Sequence, residues 1–119
     1  MQNKNQIFEE YIKHAKDHRS FIQNGDHRNA NKSYKKLLRI YMHFVEDRSL
    51  AEENLLRLMR YSDPDVQIWA AAHSISLMID IENAEKILEN ISRDYSKDLI
   101  GFSAKLTLHE WKTKGKLSF

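Results

Sequence analysis

The first helical stretch carries the side chains most often found around a metal ion. Glu10, His14 and His18 are spaced four residues apart, so they share one face of a helix. They lack the order of a zinc peptidase motif, in which a Glu directly follows the first His and acts as the base. Lys13 and Lys16 lie among them, and their charge opposes a divalent cation. The pattern therefore favours a solvated charged face and predicts no metal and no cofactor.

A second candidate for chemistry is His73, which lies in an Ala-rich segment and could in principle act as a general base. No residue at a telling spacing makes Ser74 or Ser76 a convincing nucleophile beside it. The chain contains no Cys, which excludes thiolate metal sites and thiol catalysis. We therefore expect His73 to be a core histidine hydrogen-bonded to backbone or Tyr, and we expect no enzymatic activity.

Acidic side chains offer candidates for partner binding. Asp63 and Asp65 lie at a helix start, where negative charge offsets the helix dipole, although they can also meet a partner. Glu82, Glu85 and Glu89 are spaced i, i+3, i+7 and are expected along one exposed helix face. An ordinary wet face and a partner-facing patch both fit this spacing. The predicted partner-binding residues are Asp63, Asp65, Glu82, Glu85, Glu89 and Asp94.

Basic side chains support an alternative function. Lys32, Lys35, Lys36 and Arg39 form a basic stripe. Together with the neighbouring Tyr34 and Tyr41, this stripe has the composition of a nucleic-acid-binding groove. Both tyrosines, however, belong to an apolar series that is expected to face the core. Nucleic-acid binding is therefore the second hypothesis.

The net charge of +2 hides an uneven distribution along the 119 residues. Residues 1–45 carry nine Lys or Arg and four Asp or Glu, whereas residues 46–110 carry seven and thirteen. Such polarity can steer a charged partner, and the later acidic segment would repel a long phosphate backbone.

Turn and cap residues divide the chain into six predicted helices. Gly25 and Gly115 are expected to end helices in the left-handed conformation, and Pro64 suits the first position of a helix. The predicted N-terminal caps are Asp26, Ser49 with Glu52 three residues later, Asp63 and Ser96. Residues 69–81 are apolar almost all round, which predicts a central buried helix.

Part of this pattern occurs twice. Leu55, Leu56 and Met59 match Ile87, Leu88 and Ile91 after a shift of 32 residues. After a shift of 33, Val66, Trp69, Ala71, Ser74, Ile75 and Met78 match Leu99, Phe102, Ala104, Thr107, Leu108 and Trp111. Two hairpins of one design predict an all-α fold, a short α-solenoid of about three antiparallel helical hairpins in a right-handed stack, with residues 1–119 as one domain. Such a fold usually binds another macromolecule.

Targeting signals are not evident in the sequence. Residues 1–6 lack the basic and apolar pattern of a signal peptide, and no apolar run approaches the ~18 residues of a membrane span. A cytoplasmic location without membrane association is expected.

Three stretches of the sequence are distinctive. They are Gly25-Asp26-x-x-x-Ala30-Asn31-Lys32, Asp63-Pro64-x-Val66-x-x-Trp69-Ala70-Ala71-Ala72-His73, and Gly101 to Leu108 with Trp111-Lys112 and Gly115-Lys116-Leu117. Together they resemble a family of small bacterial HEAT-like helical proteins that includes candidate immunity proteins of polymorphic toxin systems. The resemblance covers roughly residues 8–117. It implies a non-enzymatic protein that neutralises a cognate toxin, and it supplies no set of binding residues. Our first hypothesis is therefore an immunity protein that occludes the basic cleft of a toxin with an acidic face.

Overall fold

Six α-helices contain most of the residues that the computed structural model describes, which are 4–117 and 119. The helices are α1 (Lys4–Gln23), α2 (His27–Glu46), α3 (Arg48–Met59), α4 (Pro64–Ser76), α5 (Ile81–Asp94) and α6 (Leu99–Lys114). No strand occurs among these residues, so the predicted all-α class is confirmed. No described helix is both long and apolar enough to span a bilayer. The first three residues of the stretch searched for a signal peptide lie outside the described part.

The chain divides into two compact units, one ending at Leu58 and the other beginning at Met59. In the first unit, α1 packs against α2 across a short turn. The rings of Tyr11 and Phe44, both buried, stack with their centroids 6.2 Å apart. The guanidinium of Arg57 lies 4.1 Å from the centre of the Phe8 ring. The apolar periodicity of α1 and α2 thus produces a hairpin with a continuous aromatic and aliphatic core.

In the second unit, α4 packs against α5 and α6, and α5 packs against α6. The buried residues of α4 are Val66, Ile68, Ala70, Ala71, Ala72, His73, Ser74 and Ile75. The helix therefore has the central position that its composition predicts. Within each unit, the packing of consecutive helices fits a helical repeat.

Several predicted boundaries are confirmed. Asp26 caps α2, because its Oδ1 accepts a hydrogen bond from Asn29 N at 3.2 Å. Asp63 caps α4 through Asp65 N at 2.8 Å, with Pro64 at the first position. Gly25 and Gly115 have φ of 73° and 68°, the left-handed conformation that ends a helix.

Two predicted caps are wrong. Asp47, rather than Ser49, caps α3, since its Oδ1 accepts from Leu50 N at 3.1 Å. Helix α6 begins at Leu99, so its preceding residue is Asp98 and not Ser96. Near α3, more than one residue has a side chain able to cap the helix, and spacing alone does not decide between them. At α6, Asp98 precedes the helix without a side-chain capping bond.

The apolar run of residues 69–81 is also not one helix. Helix α4 ends at Ser76, and the chain turns through Met78 and Asp80, whose φ values are 59° and 44°. Asp80 then precedes α5, and its carbonyl accepts a hydrogen bond from Ala84 N at 3.0 Å. Asp tolerates the left-handed region better than most residues, which allows this turn without Gly.

The repeat correspondence holds on the inner side of the helices and fails on the outer side. Ala71 and its counterpart Ala104 are both fully buried. Val66 is fully buried as well, but its counterpart Leu99 is 69% exposed. Phe102, the counterpart of the half-buried Trp69 in the repeat, is exposed as well.

Enlarging the inner side of α4 should destabilise the protein. Ala71 is completely buried in the helix that packs against both α5 and α6, so Ala71→Leu should lower the free energy of unfolding by ~1–3 kcal/mol through overpacking. Denaturant unfolding measures this change. A difference within error would show that the site has room that the structure does not show.

A second stability prediction concerns Gly101, which is buried in the first turn of α6. A Cβ added there would collide with the backbone carbonyl of Tyr95, a rigid neighbour, whereas one added at Gly115 would meet nothing within 4 Å. Gly101→Ala should therefore lose stability at or above the upper end of the ~1–3 kcal/mol range for overpacking. Gly115→Ala, strained only by its positive φ, should lose ~1 kcal/mol. Equal losses in thermal or denaturant unfolding would contradict the close approach at Gly101.

Candidate functional site

The predicted acidic residues lie at two places in the fold, around the start of α4 and along α5. Asp63 and Asp65 are half-buried at the start of α4, where the Asp63 carboxylate is used as the helix cap. Glu82, Glu89 and Asp94 are exposed on α5. Asp94 lies 3.5 Å from Nε of its neighbour Arg93. The capping role expected for Asp63 is therefore its observed role.

Glu85 has a different environment from its neighbours on α5. It is half-buried rather than exposed as the spacing predicted, and its Oε2 accepts a hydrogen bond from Trp111 Nε1 at 2.9 Å. One turn further along, Glu89 Oε1 lies 3.5 Å from Lys112 Nζ. These two contacts join α5 to α6, so Glu85 is an internal anchor and only the exposed carboxylates of α5 remain suited to meeting a partner.

The outer face of α6 carries the largest exposed apolar side chains of the second unit's helices. Leu99, Phe102 and Leu106 are 69%, 56% and 51% exposed. Their i, i+3, i+7 spacing places them on one face of the helix, opposite the buried Gly101 and Ala104. We call these three residues the α6 stripe. Contiguous exposed apolar surface of this kind marks interaction sites, since solitary exposed apolar residues are common but aligned ones are not.

Sequence reasoning missed the α6 stripe because the repeat matched Leu99 and Phe102 with residues of the central helix α4. The necessary signal was present in the helical spacing. Phe102 lies about one turn from both Leu99 and Leu106, whereas Ala104 lies on the opposite face. A helix with Gly and Ala on one side and Leu and Phe on the other can bury either face, and only the packing of α4 and α5 decides which.

The first unit contains a basic groove between α1 and α2, with a volume of about 420 Å³. We call it the α1–α2 groove. Its polar lining consists of Glu10, Lys13, His14, Lys36, Arg39 and His43. The basic stripe predicted on α2 is thus divided: all four of its members are exposed, but only Lys36 and Arg39 line the groove.

His14 is a half-buried member of the α1–α2 groove. Burial lowers its pKa from the ordinary value, and the positive charges of Lys36 and Lys13 lower it further, against the opposing influence of Glu10 and Asp17. The imidazole is therefore mostly neutral near pH 7. Lys13 Nζ forms an ion pair with Asp17 at 2.7 Å, which leaves Lys36 and Arg39 as the principal cations on the α2 side.

His14 and His18 have the spacing of possible metal ligands on one helix face. Among the described residues, no group of three or more His, Cys, Asp or Glu is placed to hold a metal ion. The absence of a metal at His14 and His18 stays a prediction.

His73 is buried in the second unit, as expected for a core histidine. Its ring centre lies 4.8 Å from that of Phe119, edge to face, and 5.8 Å from that of Trp69. Burial lowers its pKa to about 3. Ser74 Oγ is buried without a hydrogen-bond partner among the described residues, so His73 does not contact it as a base would contact a nucleophile.

Comparison with known proteins found no matching protein family, no similar curated protein and no similar solved structure. The resemblance to HEAT-like immunity proteins therefore remains a hypothesis, and the candidate surfaces must be judged on their chemistry.

The buried histidine should make stability depend on pH. The pKa of His73 is about 3 in the folded protein and near 6.5 when the chain unfolds, so between these values the unfolded state binds more protons. Above about pH 6.5 the His73 imidazole is neutral, which is the form compatible with folding. Below that value the free energy of unfolding should fall as pH decreases, by at most ~1.4 kcal/mol per pH unit.

The measurement is denaturant unfolding from pH 7.5 to 4.5, compared with His73→Gln, which cannot be protonated in this range. Carboxylates such as Asp26 titrate in both proteins, so the difference between the two curves isolates the histidine. Parallel curves would show that His73 titrates normally.

Proposed function

We propose that this chain is a non-enzymatic protein-binding module, acting in the cytoplasm as an immunity protein that neutralises a cognate bacterial toxin. The α6 stripe is the observation that carries protein binding. The resemblance of three sequence motifs to immunity proteins supplies the class of partner.

The α6 stripe has the spacing of a helix that docks into a groove. Helical ligands present anchors at i, i+3, i+4 and i+7, and Leu99, Phe102 and Leu106 occupy three such positions. If each side chain becomes fully buried on binding, the gain is on the order of 1 kcal/mol or more per residue, since each is half-exposed or more before binding. The partner is therefore expected to offer an apolar groove about two helical turns long.

The exposed acidic residues of α5 add negative charge to the surface of the second unit. Glu82 and Glu89 remain exposed, whereas the Glu85 carboxylate is bound by Trp111. Toxins that act on nucleic acids or nucleotides carry basic clefts, so exposed carboxylates would accelerate association with such a partner. In this proposal the apolar stripe supplies affinity, and Glu82 and Glu89 supply steering.

Nucleic-acid binding by α2 is the rival function. Its support is the exposure of Lys32, Lys35, Lys36 and Arg39 on one helix. Tyr34 and Tyr41 are half-buried, however, and are poorly placed to stack on bases. The protein-binding proposal is therefore preferred.

Replacing two stripe residues should abolish protection against the toxin. Phe102→Ser with Leu106→Ser removes the centre of the α6 stripe, and both residues are exposed, so the fold should be retained within ~0.5 kcal/mol. Survival is scored after co-expression with the toxin candidate encoded by the neighbouring gene. Calorimetry with the purified toxin then measures whether affinity falls.

Met42→Ser with Val45→Ser is the matched control, because these α2 residues are 50% and 49% exposed and lie one turn apart. It should protect fully. Equal loss in both variants would indicate a general solubility effect and would contradict the proposed role of the stripe.

Glu82→Lys with Glu89→Lys should slow association while Glu85 keeps its contact with Trp111. Loss of protection only after reversal of Lys35, Lys36 and Arg39 would show that α2, and not α6, is the face that meets the toxin.

A further inference from the structure

The α1–α2 groove is a second candidate site, built from residues that the proposed function does not use. It lies entirely within the first unit, and its volume of about 420 Å³ falls in the range of small-molecule sites. Three basic side chains line it with one carboxylate, that of Glu10, and Lys13 among the three is paired with Asp17. A groove with this charge balance favours an anionic ligand over a neutral or cationic one.

The arrangement of the cations indicates which anion fits. Lys36 and Arg39 are three residues apart on α2, so they lie on the same face with Cβ atoms ~5–6 Å apart. The guanidinium can hold one phosphate through two parallel hydrogen bonds, and the ammonium can contact a second phosphate as a point charge. Two cations one helical turn apart therefore match two linked phosphate groups better than a single one.

The remainder of the groove provides space beyond the phosphates. Ile40 gives the lining an apolar component between the charged residues. His14 and His43 provide ring surfaces and hydrogen-bonding nitrogens from opposite helices. A nucleotide-sized molecule therefore has room for its uncharged part, although the diphosphate is the group that the charges select.

We infer that the α1–α2 groove binds a diphosphate group, contacted mainly by Lys36 and Arg39, and that binding is coupled to protonation of His14. The coupling follows from the charges around that imidazole. Lys36 on α2 and Lys13 on α1 disfavour its protonated form, while Glu10 and Asp17 on α1 favour it. Arg39 and His43 of α2 line the same groove. A bound diphosphate counters the lysine charges, so the pKa of His14 rises on binding and the complex tightens as pH falls through it.

The test is calorimetric titration at low ionic strength with two probes, inorganic diphosphate and ADP. Lys36→Gln with Arg39→Gln should weaken binding of both on the order of tenfold or more, the loss expected for a charge-assisted hydrogen bond. Lys32→Gln with Lys35→Gln is the matched control: it removes the same charge from exposed positions of α2 that do not line the groove. This control variant should have little effect on binding.

Tighter binding of ADP than of diphosphate would identify a nucleotide as the source of the phosphates. Equal binding would identify the diphosphate alone. Both results support the site.

A readout of His14 separates the groove from general attraction of anions. The imidazole resonances of His14 should shift on adding diphosphate at pH 6.5. His14→Gln should lose part of the pH dependence of binding, and the protonation of the ligand itself cancels in this comparison.

Three results would overturn the inference. One is no measurable binding of either probe at millimolar concentration. Another is equal weakening by the groove and control variants, which would indicate diffuse charge attraction. The third is preferential binding of a single-stranded oligonucleotide that the control variant abolishes, which would assign α2 to nucleic acid. None of these results bears on toxin binding by the α6 stripe, which lies in the other unit.

Discussion

Most of helix α4 is buried, and the second unit must cover it on several sides. Eight of its residues are buried, and three of them are consecutive alanines that let neighbouring helices approach closely. Helix α5 packs against it and buries Ala84, Leu88 and Ile91, while α6 buries Ala104 and also Gly101, which lies close to the backbone of Tyr95. This requirement explains the outer face of α6. Once the small residues face inward, Leu99, Phe102 and Leu106 must face outward. Burial of apolar area during folding would favour the larger side chains inside, so their exposure is a cost that binding to a partner would remove.

Polar contacts determine how α6 is held in that orientation. The bond from Trp111 Nε1 to Glu85 joins residues 26 positions apart, and the ion pair of Lys112 with Glu89 follows one turn along α5. The hydrogen bond of the indole is half-buried and therefore contributes more than the exposed ion pair, which is worth little in water.

Elsewhere, buried polar groups are retained at some cost to stability. Ser74 Oγ and Asn54 Oδ1 have no hydrogen-bond partner among the described residues, and His73 is neutral because of its burial. The second unit thus depends on close packing around α4 and on a few specific polar contacts.

Features that depend on residues close together in the sequence were predicted better than features that depend on how the helices pack. Asp26, Asp63, Gly25 and Gly115 were assigned correctly, because capping and left-handed helix ends depend on residues a few positions apart. Burial of α4 was predicted because its composition leaves no polar face. By contrast, the partner of Glu85 depends on how α5 and α6 dock, which no spacing within α5 reveals. The repeat correctly matched Ala71 with Ala104 but also matched the half-buried Trp69 with the exposed Phe102, since a correspondence of residue types does not include the neighbours that cover them. Of the candidate sites, the basic stripe was visible in the sequence, while the groove that divides it required the α1 side chains to be placed opposite α2.

The two proposed surfaces depend on different physical forces, which makes them separable in one protein. Contacts in the α1–α2 groove are between exposed charges and a mobile anion, so they weaken as added salt shortens the Debye length to ~10 Å at 0.1 M and less above it. Contacts of the α6 stripe come from removing apolar area from water, which salt of this concentration does not weaken. The steering role of Glu82 and Glu89 lies between these cases, because screening slows association without changing the apolar contacts that limit dissociation. The dissociation rate of a protein complex should therefore follow the stripe, whereas its association rate should follow the acidic residues of α5. An equilibrium constant measured at a single ionic strength would combine these contributions and assign them to neither surface.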